Sequence, residues 1–440
     1  MEPQSLTQII SEDDFLPLVQ SSSGNFFKTF NAFSSLVDHK SGVTRKCYSN
    51  LIQQAELLEC FMDEYGARQN RTWLFFAEFV ASIRNLVIAA FYVRHLLDRY
   101  PYYRLKDTDD MQGNFFKDGQ ETLDFLNHSI IHLYNQCMKA AEENGLELSN
   151  EAVDPGEFSE VEVNKQLPNN AADESIKEDD ERIIDLFEKL GNVARFMEEM
   201  KIRESHNDEE LKAMVPTVLD EKKARFMMNL IHSAQSEFDT YVKNTYIEQK
   251  HKDLKNFRGY ISMPLHLMEV TIWLCHFYER HEDEIRQGEA KRIISTLVNK
   301  KELLGKIVNF CFKYCLIYVR EGDRLSKEIL KSFIKTVRYE LPIPKPLGFH
   351  ARPSTYISLI VRKYDSDAFL IVGDEKFNGR SVMSLLQAGG TIADKGIQTV
   401  VFEGDQRVLD DIKILAENNY CEEKNLPEEL SYLRAMRDSA

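Results

Sequence analysis

The chain has 440 residues, 43% hydrophobic and 29% charged, a composition that excludes a disulfide-stapled miniprotein and a largely disordered chain. Its 55 basic and 71 acidic side chains leave a net charge of −16, which argues against wrapping nucleic acid or lying on anionic lipid. Seven cysteines without a CxxC pair point to reduced thiols in a cytoplasmic setting, and the opening MEPQSLTQII lacks the basic-then-apolar order of a secretory or transit peptide.

Helical periodicity predicts an all-α lobe over residues 1–145. Its centre is the stretch from Trp73 to Tyr100, apolar nearly all round, as expected of a helix buried in a bundle. Glu78, Arg84, Asn85 and Arg94 interrupt it, so no membrane span is expected there. A further long helix over about 118–144 ends near Gly145.

Residues 142–182 hold fourteen acids against three bases, together with Pro155, Gly156 and Pro168, and little apolar periodicity. Such a segment cannot offset its ordering entropy, so 146–182 reads as a solvated acidic linker. A second helical lobe follows over 183–336, with breaks expected near Pro216, Gly259 and Pro264. Its stripe Leu304, Ile307, Val308, Cys311, Cys315 and Val319 turns both cysteines toward a core.

After Val337 the texture changes to short β-prone runs alternating with helical patterns. Strands are predicted near 337–343, 367–373, 375–378 and 398–403, and helices at 351–364, 381–388 and 405–418, the order βαββαβα. The fold class is therefore multi-domain: a large all-α N-terminal region followed by an α+β open-faced sandwich at 337–420, with a short helical extension at 421–440.

The sharpest local signal in that domain is GFHARPS, Gly348 to Ser354, between its first strand and first helix. Pro353 suits an opening helical turn, so His350 falls at the cap and its imidazole sits on the positive end of the helix. The free N–H groups of Ala351 and Arg352, with the Arg352 guanidinium, then favour an anion on the ring, and a phosphoryl group fits. Gly348 admits the tight turn, and a neutral imidazole near pH 7 is a competent nucleophile.

GFHARPS in this element order resembles HPr, the histidine phosphocarrier of the phosphoenolpyruvate-dependent phosphotransferase system. The resemblance implies that His350 accepts phosphate through Nδ1 from enzyme I, with Arg352 as its phosphate partner, and passes it to a downstream acceptor protein. The chain is then a carrier with a phosphohistidine intermediate rather than a free-standing enzyme, and no cofactor or metal is implied. NGRSVMSLL at 378–386 resembles the family's regulatory segment, which places a site for HPr kinase at Ser381 and a partner-docking surface on Val382, Met383 and Leu386. Two features depart from the family pattern. The stretch QAGGTIADKG before and at Gly396 is longer than the family's loop, and Pro342 and Pro344 lie in the first strand, where proline suits only an edge or an end.

Other candidates carry less. His128 and His132 stand at i, i+4 without a completing carboxylate and are not read as a metal site. His276 and His281, beside Glu279, Glu282 and Glu284, read as a charged, solvated helix end. The resemblance says nothing of residues 1–336, which leaves an alternative: a regulatory protein whose HPr-like domain is a docking or sensor module and whose helical region binds a partner.

Overall fold

The computed structural model describes residues 8–39, 42–106, 109–159, 180–243, 248, 251, 253–281, 288–330, 335–364, 366–422 and 426–438. The chain divides into two compact units, Met1–Ile329 and Leu330–Ala440.

The first unit is helical: α1 (Glu12–Asp38), α2 (Arg45–Glu64), α3 (Leu74–Arg99), α4 (Asp109–Glu143), α5 (Asp180–Glu199), α6 (Asp208–Met214), α7 (Glu221–Tyr241), α8 (Leu254–Arg280), α9 (Glu289–Leu297), α10 (Lys300–Gly305) and α11 (Lys313–Leu330). A π-helical turn, Lys306–Phe312, joins α10 to α11. Helix α3 is central, packed on α2, α4 and α8. By length and composition it could cross a bilayer, but 78% of its most apolar window is buried inside the unit. Its apolar surface is satisfied by protein. Cys311 and Cys315 both pack inward, as their spacing predicts.

Three sequence expectations are modified here. Residues 146–158, expected to be solvated spacer, lie along α1, where Gln20 pairs with both backbone groups of Glu147 and the Asn31 amide donates to the carbonyls of Ser149 and Glu151. Side-chain amides thus satisfy a backbone that composition alone marks as solvated, and Phe158 is buried beside it. Residues 160–179 of that linker lie outside the described residues. Helix α8 runs unbroken through Gly259 and Pro264. Gly259 serves a close approach instead of a stop, because a Cβ there would strike the Tyr103 carbonyl.

The third correction concerns His281, which is buried and not solvated. Its Nδ1 lies 3.1 Å from Ser82 Oγ and its Nε2 2.7 Å from the Asn85 amide, while Glu78 is paired with Lys291 beside it. Burial holds the His281 imidazole down to about 4. Burial alone would push the Glu78 carboxyl up, but hydrogen bonds from His281 and Lys291 outweigh it and hold that group down to about 2. Glu282 and Glu284 lie outside the described residues.

The second unit is built from β1 (Thr336–Pro342), α12 (Ala351–Lys363), β2 (Ala368–Val372), β3 (Glu375–Asn378), α13 (Val382–Lys395), β4 (Thr399–Asp405), α14 (Gln406–Glu417) and α15 (Tyr432–Asp438). The sheet order is β1-β4-β2-β3, antiparallel throughout. Pro342 ends the edge strand β1, the one place where its missing N–H costs the ladder little. Alternate residues Ala368, Leu370 and Val372 of β2 enter one core with Ile357, Ile360, Leu385, Phe402, Ile412 and Leu415.

Helix α13 is longer than expected. It continues past 388 to Lys395 and closes on Gly396 in the left-handed region, φ 62°. The stretch QAGGTIADKG is therefore mostly helix, despite two adjacent glycines. The described part of the C-terminal extension joins this core: Leu430 and Leu433 are buried in it together with Tyr420.

Candidate functional site

His350 caps α12 with extended backbone, φ −91° and ψ −168°, and its Nδ1 accepts the Arg352 backbone N–H at 3.5 Å. The approach to this cap is set on both sides. Gly348 takes φ 65°, a left-handed turn that glycine adopts without strain. Phe349 anchors the next step in the core, edge-on to Tyr420 at 5.4 Å and to Phe402 at 6.2 Å between ring centroids. Gly389 of α13 lies against the Phe349 carbonyl. The imidazole thus follows a buried aromatic and opens a helix whose first N–H groups the helix itself cannot use.

A residue that sequence reasoning missed completes the site. Glu422 Oε1 lies 2.7 Å from His350 Nε2, and the Glu422 backbone carbonyl accepts a hydrogen bond from Arg352 Nη1 at 3.1 Å. The carboxylate is 7% exposed and the imidazole 32%. Glu422 arrives through an unusual turn after α14, in which Asn419, Tyr420 and Cys421 all have positive φ, 50°, 53° and 61°. Each such non-glycine conformation costs about 1 kcal/mol or more, and the surroundings hold it. The Asn419 amide bonds both backbone groups of Lys345, and the Tyr420 hydroxyl donates to the Pro342 carbonyl at 2.9 Å. Burial pushes the neighbouring Cys421 thiol up, opposed by the Arg352 guanidinium. No motif marks Glu422, which stands 72 residues from His350 in a stretch without periodicity.

The other predicted residues are placed as follows. Ala351 and Arg352 occupy the exposed first turn of α12. Ser381 is the N-cap of α13, its Oγ accepting the Ser384 N–H at 3.3 Å. Beside it Met383 is 67% exposed, while Val382 and Leu386 are half-buried. Leu347, 71% exposed just before Gly348, is the other large apolar side chain in the open among the described residues of this unit. Ser358 Oγ donates to the Arg380 carbonyl at 2.7 Å and so ties α12 to the residue preceding Ser381.

Elsewhere, His128 and His132 are exposed on α4, and His128 Nδ1 bonds the Asp124 carbonyl at 2.6 Å. No group of three or more potential metal ligands is found among the described residues.

Comparison with known families finds one match. Residues 337–417 match the PTS-HPr family, described as the PTS HPr component phosphorylation site, and the N-terminal region matches no family. No curated protein and no solved structure matches the chain. The matched segment runs from β1 to the end of α14 and contains His350, Arg352 and Ser381. Glu422 lies beyond it.

Proposed function

We propose that the HPr domain at 337–417 carries a phosphoryl group on His350 Nδ1 in a cytoplasmic relay, receiving it from enzyme I and handing it to a downstream acceptor protein. The observation that supports this most is the cap geometry. Nδ1 stands at the N-terminus of α12, against the Arg352 N–H, where an anion meets both hydrogen-bond donors and the helix dipole.

The Nδ1 lone pair attacks the donor's phosphorus as the bond to the donor breaks, and the Arg352 backbone N–H that donates to Nδ1 turns to a phosphoryl oxygen. The Ala351 N–H adds a second donor. The Arg352 guanidinium exchanges its bond to the Glu422 carbonyl for charge-assisted bonds to the new dianion. Met383, with Val382 and Leu386, offers apolar area for docking partners. Ser381, when phosphorylated by HPr kinase, places about −1.5 to −2 charges at that edge and hinders docking without unfolding the helix.

The test is phosphoenolpyruvate-dependent labelling of the full chain by enzyme I, comparing wild type with His350→Ala. Acid-labile label that the variant lacks is the expected result. A wild-type chain that stays unlabelled under conditions that label a standard HPr overturns the reading.

A further inference from the structure

Glu422 touches both members of the motif at once, its carboxylate on His350 Nε2 and its carbonyl on Arg352 Nη1, although it lies outside the matched domain. An ionised carboxylate can only accept, so the proton in the 2.7 Å contact belongs to Nε2. The neutral ring then carries its lone pair on Nδ1, the atom that faces the Arg352 N–H. The Arg352 guanidinium is bonded to the Glu422 carbonyl, and the Cys421 thiol, next to Glu422 in the turn, is influenced by Arg352 and Glu422.

We infer that Glu422 is the positioning residue of this site: it selects Nδ1 as the nucleophile and keeps the proton on Nε2 once Nδ1 is phosphorylated. The inference rests on His350 being the phosphoryl acceptor. When the Nδ1–P bond forms and the donor's bond to phosphorus breaks, the ring retains its Nε2 proton and becomes an N-phosphoryl imidazolium, whose charge the carboxylate balances. On transfer, the electron pair of the P–N bond returns to Nδ1 as the acceptor's bond to phosphorus forms. The ring leaves as neutral imidazole, its proton still on Nε2. Donor and acceptor are the only other reactants. The C-terminal extension therefore tunes how readily the phosphoryl group departs, and the left-handed turn at 419–421 is the device that delivers it.

The experiment uses the full chain as wild type, Glu422→Gln and Glu422→Ala, each phosphorylated chemically with phosphoramidate so that enzyme I is not needed. Two readouts are taken: the imidazole tautomer of unmodified His350 by long-range ¹⁵N NMR, and hydrolysis of the phosphohistidine between about pH 5 and pH 9. Wild type is expected to show a single Nε2–H tautomer, and Glu422→Ala a mixture. A carboxylate favours the protonated phosphohistidine, so its loss in Glu422→Gln should move the midpoint of the hydrolysis profile down by about one pH unit. Above the midpoint the variant's phosphoryl group then lasts up to about tenfold longer. Equal thermal melts for the isosteric Gln variant exclude a folding effect. Identical tautomers and identical profiles in all three chains overturn the inference. A shifted profile in a chain that enzyme I never labels upholds Glu422 and overturns only the relay reading.

Discussion

Gly389 packs directly on Phe349: a Cβ at position 389 would stand 2.6 Å from the Phe349 carbonyl oxygen, one residue before the histidine that caps α12. A glycine in the middle of a helix ordinarily costs about 1 kcal/mol relative to alanine. Here the sign reverses, because the helix must approach a backbone oxygen that cannot rotate away. Gly389→Ala is expected to destabilise the α+β unit by about 1–3 kcal/mol and to slow phosphoryl acceptance at His350. Denaturant unfolding and the labelling rate check this; a stabilised variant would show that α13 shifts at no cost.

The C-terminal extension should be structural as well as functional. Leu430 and Leu433 are buried in the core of the α+β unit, and Leu433→Ala should cost about 2–4 kcal/mol by emptying that site. A midpoint in urea equal to that of wild type would mean that the extension packs without contributing.

Ser381 caps α13 through its Oγ. Ser381→Ala should lose about 1 kcal/mol of stability with little change in phosphoryl transfer. Ser381→Asp keeps a capping oxygen and adds negative charge beside Met383, so it should stay stable and transfer more slowly. Equal transfer rates for the Asp and Ala variants would remove the regulatory reading of this serine.

Acid should weaken the helical unit before its carboxylates titrate. Burial holds His281 and His95 down to about 4 and His266 to about 3, against an ordinary 6.5. Below pH 6.5 the unfolded chain takes up protons that the folded chain refuses until those lower values. The stability these neutral rings lend is complete above about pH 6.5 and is lost as pH falls toward 4. For His281 the loss reaches about 3 kcal/mol. Glu78, held down to about 2, extends the decline below pH 4.5. Urea midpoints across this range should fall with acid, and less steeply in His281→Gln; an unchanged slope would count against a buried neutral imidazole.

The element order of the C-terminal domain and its histidine cap were legible because they are local. Strand alternation, the proline and glycine around His350, and the apolar stripe of α12 all lie within a few residues of what they determine. The all-round apolar α3 and the inward Cys311 and Cys315, in the π-helical turn and in α11, were readable for the same reason. The close approaches of Gly259 to Tyr103 and of Gly389 to Phe349 were not, since a glycine that ends a helix and a glycine that admits a neighbour look alike in one dimension. Nor was the burial of His281, whose partner Ser82 lies 199 residues away. The sequence by itself determined which histidine opens a helix. Only the tertiary structure decided that a carboxylate 72 residues later would hold its far nitrogen, because the turn at 419–421 is fixed by contacts with Lys345 and Pro342 and by no signal of its own.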